Sequence, residues 1–275
     1  MTSVKKLMAM SGIASLLLGA APMIATSKGQ PTWKLPDGAV QVENDVFYLG
    51  SKKDPQSGKM VEGYAFIHRS EPIKSNARKG GPAACYSYLA SGAKWKGTPE
   101  PWVMNTANTR SLNGATVFNL ETNGIAKWED AADGTVGNGA GYNIMGAGST
   151  TNADLSVDAG TLNDANEVYF ASISGSSSII AVTSVWGIWG GPVSGRELVE
   201  WDQVYDDSDF DWSTSGAAGK MDFDNIGTHE IGHAVGMGHP GTNCVQETMY
   251  AYAGFGEILK QTLNTGDING INQLY

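Results

Sequence analysis

Thr228-His229-Glu230-Ile231-Gly232-His233-Ala234-Val235-Gly236-Met237-Gly238-His239 holds three of the four histidines in the chain. His229 and His233 are four apart, so a helix sets them one turn apart on one face. Both imidazoles can then reach a single zinc ion at about 2.0–2.1 Å. Glu230, beside His229, can reach a water at that ion without being a ligand. A helix prolonged past Val235 would carry the chain away from the metal. Gly236 and Gly238 adopt positive φ cheaply and can end the helix, letting the chain double back to offer His239 as third ligand. Three protein ligands leave a fourth position open, which is the pattern of a catalytic zinc site. The short form His-Glu-x-x-His arises by chance in roughly 1% of chains of this length. Requiring Gly236 and His239 as well lowers that to about one in 10⁵, so solvent-facing histidines on an ordinary helix are set aside.

Working outward, the motif helix is expected over 224–235, with Asp222 or Asp224 as its N-cap. A last helix is expected over 266–274, after Asn264 or Thr265 and with Asp267 in its first turn. A further helix covers 124–132 and begins somewhat earlier. Strand-like runs lie at 46–49, 63–67, 101–105, 167–173, 178–185 and 197–205. The turn formers at 52–58 suggest a hairpin joining the first two runs. Gly175 and its neighbouring serines turn the chain between 167–173 and 178–185. Strands first and helices interspersed later indicate an α+β domain.

The chain has 275 residues, 41% of them hydrophobic, with 36 Gly and 8 Trp, which is enough for a sizeable core. Lys5 and Lys6, the apolar run 7–21 and small residues near Ala25 and Ser27 read as a signal peptide over 1–27. That run is short for a bilayer span, and an N-terminal anchor is the lesser alternative. Loss of Lys5 and Lys6 takes the formal charge from −10 to about −12. So acidic a chain argues against nucleic acid and anionic membranes as partners.

Residues 28–45 look like a mobile leader, and 70–82 is the best linker candidate. The domains are therefore 1–27 signal peptide, 28–82 N-terminal extension and 83–275 catalytic domain. A hairpin packed on the domain is the simpler reading of the extension. An inhibitory propeptide cut near Arg78-Lys79-Gly80 is the alternative. His68 has no motif partners and reads as an ordinary surface or hairpin histidine. The two cysteines, Cys85 and Cys244, favour a disulfide in an exported chain; free thiols or a Cys85 thiolate blocking the metal are the alternatives. The acidic run with Glu200, Asp202, Asp206, Asp207, Asp209 and Asp211 is either a calcium site or a solvated surface, with Asp202, Asp206 and Asp207 as possible Ca²⁺ ligands.

His229, Glu230, His233, Gly236 and His239 match the long motif of the metzincin metalloproteases, which the chain resembles. Thr248-Met249-Tyr250 makes Met249 the candidate for that clan's methionine turn beneath the zinc. Within the clan, Thr248-Met249-Tyr250 and the ending 263–275 are most similar to the matrixins. Pro240 departs from them, and the Pro-Arg-Cys-Gly latency motif is missing. The resemblance implies a metzincin-type domain with a twisted, mixed five-stranded sheet and three helices. It also implies a substrate bound as an extra strand on the sheet rim, at 179–185, and a pocket walled by Tyr250 and Tyr252. The expected function is that of a secreted, monomeric, Zn²⁺-dependent endopeptidase with Glu230 as general base, acting on protein or peptide substrates. It would not be membrane-bound after signal removal. A non-catalytic zinc-binding module, or a zinc amidase acting on cell-wall peptides, are the competing functions; a pure binder has no need of Glu230.

Overall fold

Residues 166–173 and 197–206 are buried almost without interruption, charged ones included, as expected of strands covered on both faces. In the computed structural model these segments form the middle of a mixed sheet. The structure describes residues 30–70, 84–90, 92–156 and 162–275. The signal peptide expected at 1–27 and nearly all of the linker expected at 70–82 lie outside the described residues.

Four strands precede residue 70: β1 (Thr32–Trp33), β2 (Val40–Glu43), β3 (Val46–Lys53) and β4 (Met60–Arg69). The short β5 (Ser87–Tyr88) follows, then β6 (Trp102–Asn105), helix α1 (Gly114–Ala131) and β7 (Gly148–Thr150). The long strands are β8 (Asn166–Ile173), β9 (Ile179–Ile188) and β10 (Glu197–Asp206). After β11 (Trp212–Ser213) and β12 (Met221–Asp222) come α2 (Phe223–Ala234), β13 (Met237–Gly238) and α3 (Thr265–Leu274).

The main sheet has nine strands rather than the expected five, in the order β2-β3-β4-β9-β10-β8-β6-β7, with β1 pairing beside β8. Strands β6 to β10 supply five of them, and the N-terminal extension supplies the rest. The extension exceeds the expectation because 32–33 and 40–43, read as leader, are strands, and Trp33 is buried. The expected rim strand is also corrected: β9 lies inside the sheet, antiparallel to β10 on one side and to β4 on the other. Gly175, at φ 121°, does turn the chain between β8 and β9, but β10 lies between those two strands and they do not pair.

Period-two alternation divides the apolar residues between two cores. Val168 and Phe170 face the helices and pack with Trp128, Phe223 and Ile231. Tyr169, Ala171 and Ile173 face the other way and pack with Trp33, Val61, Ile67 and Trp186. Each fully buried large side chain contributes roughly 2–3 kcal/mol. Trp128 also donates its indole N–H to the Thr228 carbonyl at 2.8 Å, which seats α2 on α1.

Helix α2 starts where its sequence dictates. The Asp222 carboxylate accepts from the Asn225 N–H at 3.0 Å, and Asp224 complements the dipole in the first turn. The helix ends at Ala234, and Gly236 at φ 104° reverses the chain. Gly238 serves otherwise than expected. It lacks positive φ, and an added Cβ there would meet the Tyr88 carbonyl oxygen at 3.0 Å, because β13 pairs closely with β5.

Cys85 and Cys244 are joined in a disulfide with their Cα atoms 5.4 Å apart and 159 residues between them in sequence. A loop of that length loses denatured-state entropy worth roughly 5 kcal/mol in the chain-entropy model. The bond ties the start of the segment after residue 84 to the loop between His239 and Met249.

Candidate active site

The α2 spacing and the Gly236 reversal bring three imidazoles together. The Nε2 atoms of His233 and His239 are 3.1 Å apart, and those of His239 and His229 are 3.3 Å apart. The Nδ1 atom of His229 faces the Thr248 carbonyl at 2.7 Å, and that of His233 faces the Met237 carbonyl at 2.9 Å. A carbonyl only accepts, so both Nδ1 atoms carry the hydrogen. Burial pushes all three rings toward the neutral form, His233 to about 4 and His229 and His239 well below the usual histidine range. Neutral rings protonated at Nδ1 turn bare Nε2 lone pairs toward one another. That arrangement is repulsive on its own and is resolved by a cation. The carbonyls that fix the tautomer are the supports a metal-binding histidine needs. His229, His233 and His239 thus form a three-nitrogen group that could hold a metal ion, and the donor set suits zinc.

Glu230 sits beside this group and is fully buried. Its Oε2 accepts from the Thr183 hydroxyl at 2.6 Å, across from β9. Its Oε1 lies 2.9 Å from His68 Nδ1, reached from β4. Burial raises the Glu230 carboxyl to about 8, against the lowering effects of Thr183 and Lys260. Burial likewise holds His68 well below the usual histidine range, with the Lys260 charge adding to it. The contact is a hydrogen bond in a site where burial disfavours charge on both partners.

His68 is the clearest departure from the sequence reading. Instead of lying at the surface it is fully buried, with its ring 3.9 Å from that of His229. On the same face of β4, Phe66 stacks on His233 at 4.7 Å. The alternation Tyr64, Phe66, His68 was the available signal, since it places the histidine on one strand face with two aromatics. Thr183 was missed for want of any local motif.

Met249 is fully buried beneath α2. A Cβ on Gly232 would lie 2.1 Å from the Met249 sulfur and 2.7 Å from Trp128, so only glycine leaves room for the methionine. The turn is held from α3: the Asp267 carboxylate accepts from the N–H groups of Thr248 at 2.7 Å, Met249 at 3.2 Å and Asn264 at 2.9 Å. A capping box between Asn264 and Asp267, legible as Asn264-Thr265-Gly266-Asp267, thus positions Thr248, whose carbonyl orients His229. Tyr250 and Tyr252 line a cleft of about 750 Å³ that reaches His239. Behind them the buried Lys260 donates to the Tyr250 carbonyl at 2.5 Å and lies over the Tyr250 ring.

Asp202, Asp206 and Asp207 are not gathered into a three-ligand group among the described residues. Each of them turns at least one oxygen to a protein donor, and Asp206 Oδ2 is buried without a partner. Asp202 accepts from the Glu167 N–H, and Asp206 from the Ser208 and Asp209 N–H groups. Asp207 accepts from the Thr109 N–H and the Gln30 side-chain amide.

Glu121 of α1 lies on the far side of α2, fully buried, taking a hydrogen bond from Tyr205 at 3.1 Å on one oxygen and lacking a partner on the other. Burial raises its carboxyl to about 8 from 4.5. Between those values the folded chain holds a proton that the unfolded chain has released, so stability falls as pH rises across that window. Glu121→Gln, which needs no proton, is expected to raise stability at pH 8 by on the order of 2–4 kcal/mol and to change little at pH 5. Thermal melting of both proteins at the two pH values checks this. A pH-independent difference would place the origin elsewhere.

A family model described as Peptidase_M10, Matrixin, matches residues 193–275, less than a third of the chain. The match spans β10, α2, all three histidines, Met249 and α3. This part of the chain is matrixin-like. No curated protein matches the chain.

Proposed function

We propose that this matrixin-like chain is a secreted zinc-dependent endopeptidase that cleaves peptide bonds in extended protein segments. The observation that carries the reading is the convergence of three neutral imidazole nitrogens beside a buried, hydrogen-bonded Glu230. His229, His233 and His239 would hold the zinc. Bound zinc supplies a Lewis acid that polarises a scissile carbonyl and makes water acidic enough to attack at neutral pH.

The chain's own residues supply the rest. Glu230 takes a proton at its carboxylate and returns it to the leaving amine, and a carboxyl with high proton affinity is suited to hold that proton between the two steps. The Thr183 hydroxyl fixes the carboxylate at one oxygen. Asp267, through the methionine turn and the Thr248 carbonyl, fixes the ring of His229. Tyr250 and Tyr252 wall the cleft into which a substrate side chain would pass. Export fits the leader at 1–27 and the Cys85–Cys244 disulfide, and no helix among the described residues is long and apolar enough to cross a membrane. The acidic charge leaves proteins and peptides as substrates rather than nucleic acid.

The test is metal removal on a protein whose N-terminal extension has been cut in the 70–82 segment. Hydrolysis of an unfolded protein should vanish on stripping with a chelator and return on adding an equimolar amount of zinc. Zinc uptake with no hydrolysis of protein but with release of peptides from cell wall would make the chain an amidase. Uptake with neither activity would make it a binding module.

A further inference from the structure

Two of the three imidazoles are oriented by backbone carbonyls. His233 Nδ1 donates to the Met237 carbonyl at 2.9 Å, and His229 Nδ1 donates to the Thr248 carbonyl at 2.7 Å. Partners of this kind fix a ligand's ring and tautomer, and losing one typically costs about 10–100-fold in metal affinity. Met237 and Thr248 stand at the two ends of one connection, and that connection also carries His239. Whatever holds its ends in place therefore bears on all three rings.

Apolar packing does little to anchor the middle of the connection. Between Gly241 and Gln246 only Cys244 is buried, and Val245 is 48% exposed. Two short turns meet at Cys244. Its N–H donates to the Gly241 carbonyl at 2.9 Å, and its carbonyl accepts from the Glu247 N–H at 3.2 Å. The near end is held by β5. Met237 pairs opposite Tyr88 and Gly238 opposite Ser87, and the Leu89 N–H donates to the Gly236 carbonyl at 3.0 Å. A two-residue ladder is marginal on its own. This one is seated on α3, where the Tyr88 hydroxyl donates to the Gly270 carbonyl at 3.0 Å and a Cβ on Gly266 would collide with the Cys85 carbonyl. Cys85, just before β5, is bonded to Cys244. One covalent bond thus joins the strand that holds Met237 to the loop that leads into Thr248.

We propose that the Cys85–Cys244 bond and β5 form a positioning clamp for the metal, holding the Met237 and Thr248 carbonyls against His233 and His229, so that opening the bond releases zinc before it unfolds the chain. The inference rests on the site assignment under Proposed function and adds the element that sets its metal affinity. The order of events follows from where the bond lies. Neither cysteine belongs to the two apolar cores, so the sheet and helices keep their packing when it opens. The connection loses its one buried anchor, and both carbonyls lose a fixed distance to the rings. A phosphine opens the bond chemically: the S–S bond breaks, each sulfur takes a proton, and the phosphine leaves as its oxide with oxygen supplied by water.

The experiment compares the full chain in three forms: oxidised, Cys85→Ser/Cys244→Ser, and reduced with a phosphine then re-bridged through a single methylene between the sulfurs. The serine form is used because free thiolates would themselves bind zinc. Zinc occupancy is read after dialysis against a series of zinc-buffered solutions. Near-UV circular dichroism reports the fold, and the visible spectrum of the cobalt(II) form reports the geometry of the ligands. The serine form should bind zinc about 10–100-fold more weakly and show an altered cobalt spectrum, with its near-UV signal retained. Re-bridging should return affinity and spectrum to those of the oxidised chain. Ile173→Ala, in the core on the other face of the sheet, is the control for lost stability alone and should leave zinc affinity within about two-fold. Zinc affinity equal in all three forms overturns the clamp and leaves the site assignment standing. So does an equal loss in Ile173→Ala, or a serine form that loses its near-UV signal while it still holds zinc. An oxidised chain that takes up no zinc overturns the site assignment, and the clamp with it.

Discussion

Glu230→Ala is expected to lower kcat/KM for an unfolded protein by about 10³-fold, within the range lost with a general acid–base group, while zinc content stays unchanged. The two effects separate because Glu230 is not one of the three converging nitrogen donors. Alanine also leaves the Thr183 hydroxyl and His68 Nδ1 facing a void where they had a partner. Glu230→Gln is therefore the companion variant. It retains the volume and an acceptor but cannot take the proton, so its kcat should fall almost as far with a smaller loss of melting temperature. Steady-state kinetics on the cut protein, with zinc measured on the same samples, decide the matter. A variant that loses zinc in proportion to activity would show that the carboxylate supports the metal site instead of moving a proton.

Gly232→Ala is expected to destabilise the fold by about 3 kcal/mol or more, at the upper end of overpacking costs, and to weaken zinc binding as well. The new methyl would meet the Met249 sulfur at 2.1 Å and Trp128 at 2.7 Å. Met249 and Trp128 are both fully buried, so neither can retreat into solvent. The shift would pass to Thr248, whose carbonyl orients His229. The control is Gly190→Ala, where an added Cβ meets nothing within 4 Å. Thermal melting and a zinc titration read both effects. An unchanged melting temperature for Gly232→Ala would mean that the methionine does not seat against α2.

The histidine cluster was legible because its information is local. Spacings of four and six residues, an N-cap at Asp222 and a positive-φ Gly236 set the geometry of His229, His233 and His239 over a single turn and its reversal. Helices α2 and α3 and the long strands were legible for the same reason, through period and capping residues, whereas α1, expected over 124–132, begins at Gly114 behind an Asn113 cap that was not read. The nine-stranded sheet was not. Residues 40–43 are exposed throughout, and the Val-Gln-Val-Glu alternation is too short to stand out, so they read as leader, although β2 is a strand by its pairing with β3. The buried role of Asp207 was hidden likewise, since an acidic run looks the same whether its oxygens face water or backbone N–H groups.

By itself the sequence determined a helix and reversal carrying three candidate metal ligands, the candidate base and the capped last helix, because each depends on contacts within a few residues. Only the tertiary structure decided what lies against them. Which strand covers β9, and that a histidine 162 residues away meets Glu230, follow from pairing between distant segments. Alternation specifies which face of a strand is apolar but not which edge it joins, so the choice of β4 as the neighbour of β9 is settled by packing across the whole sheet.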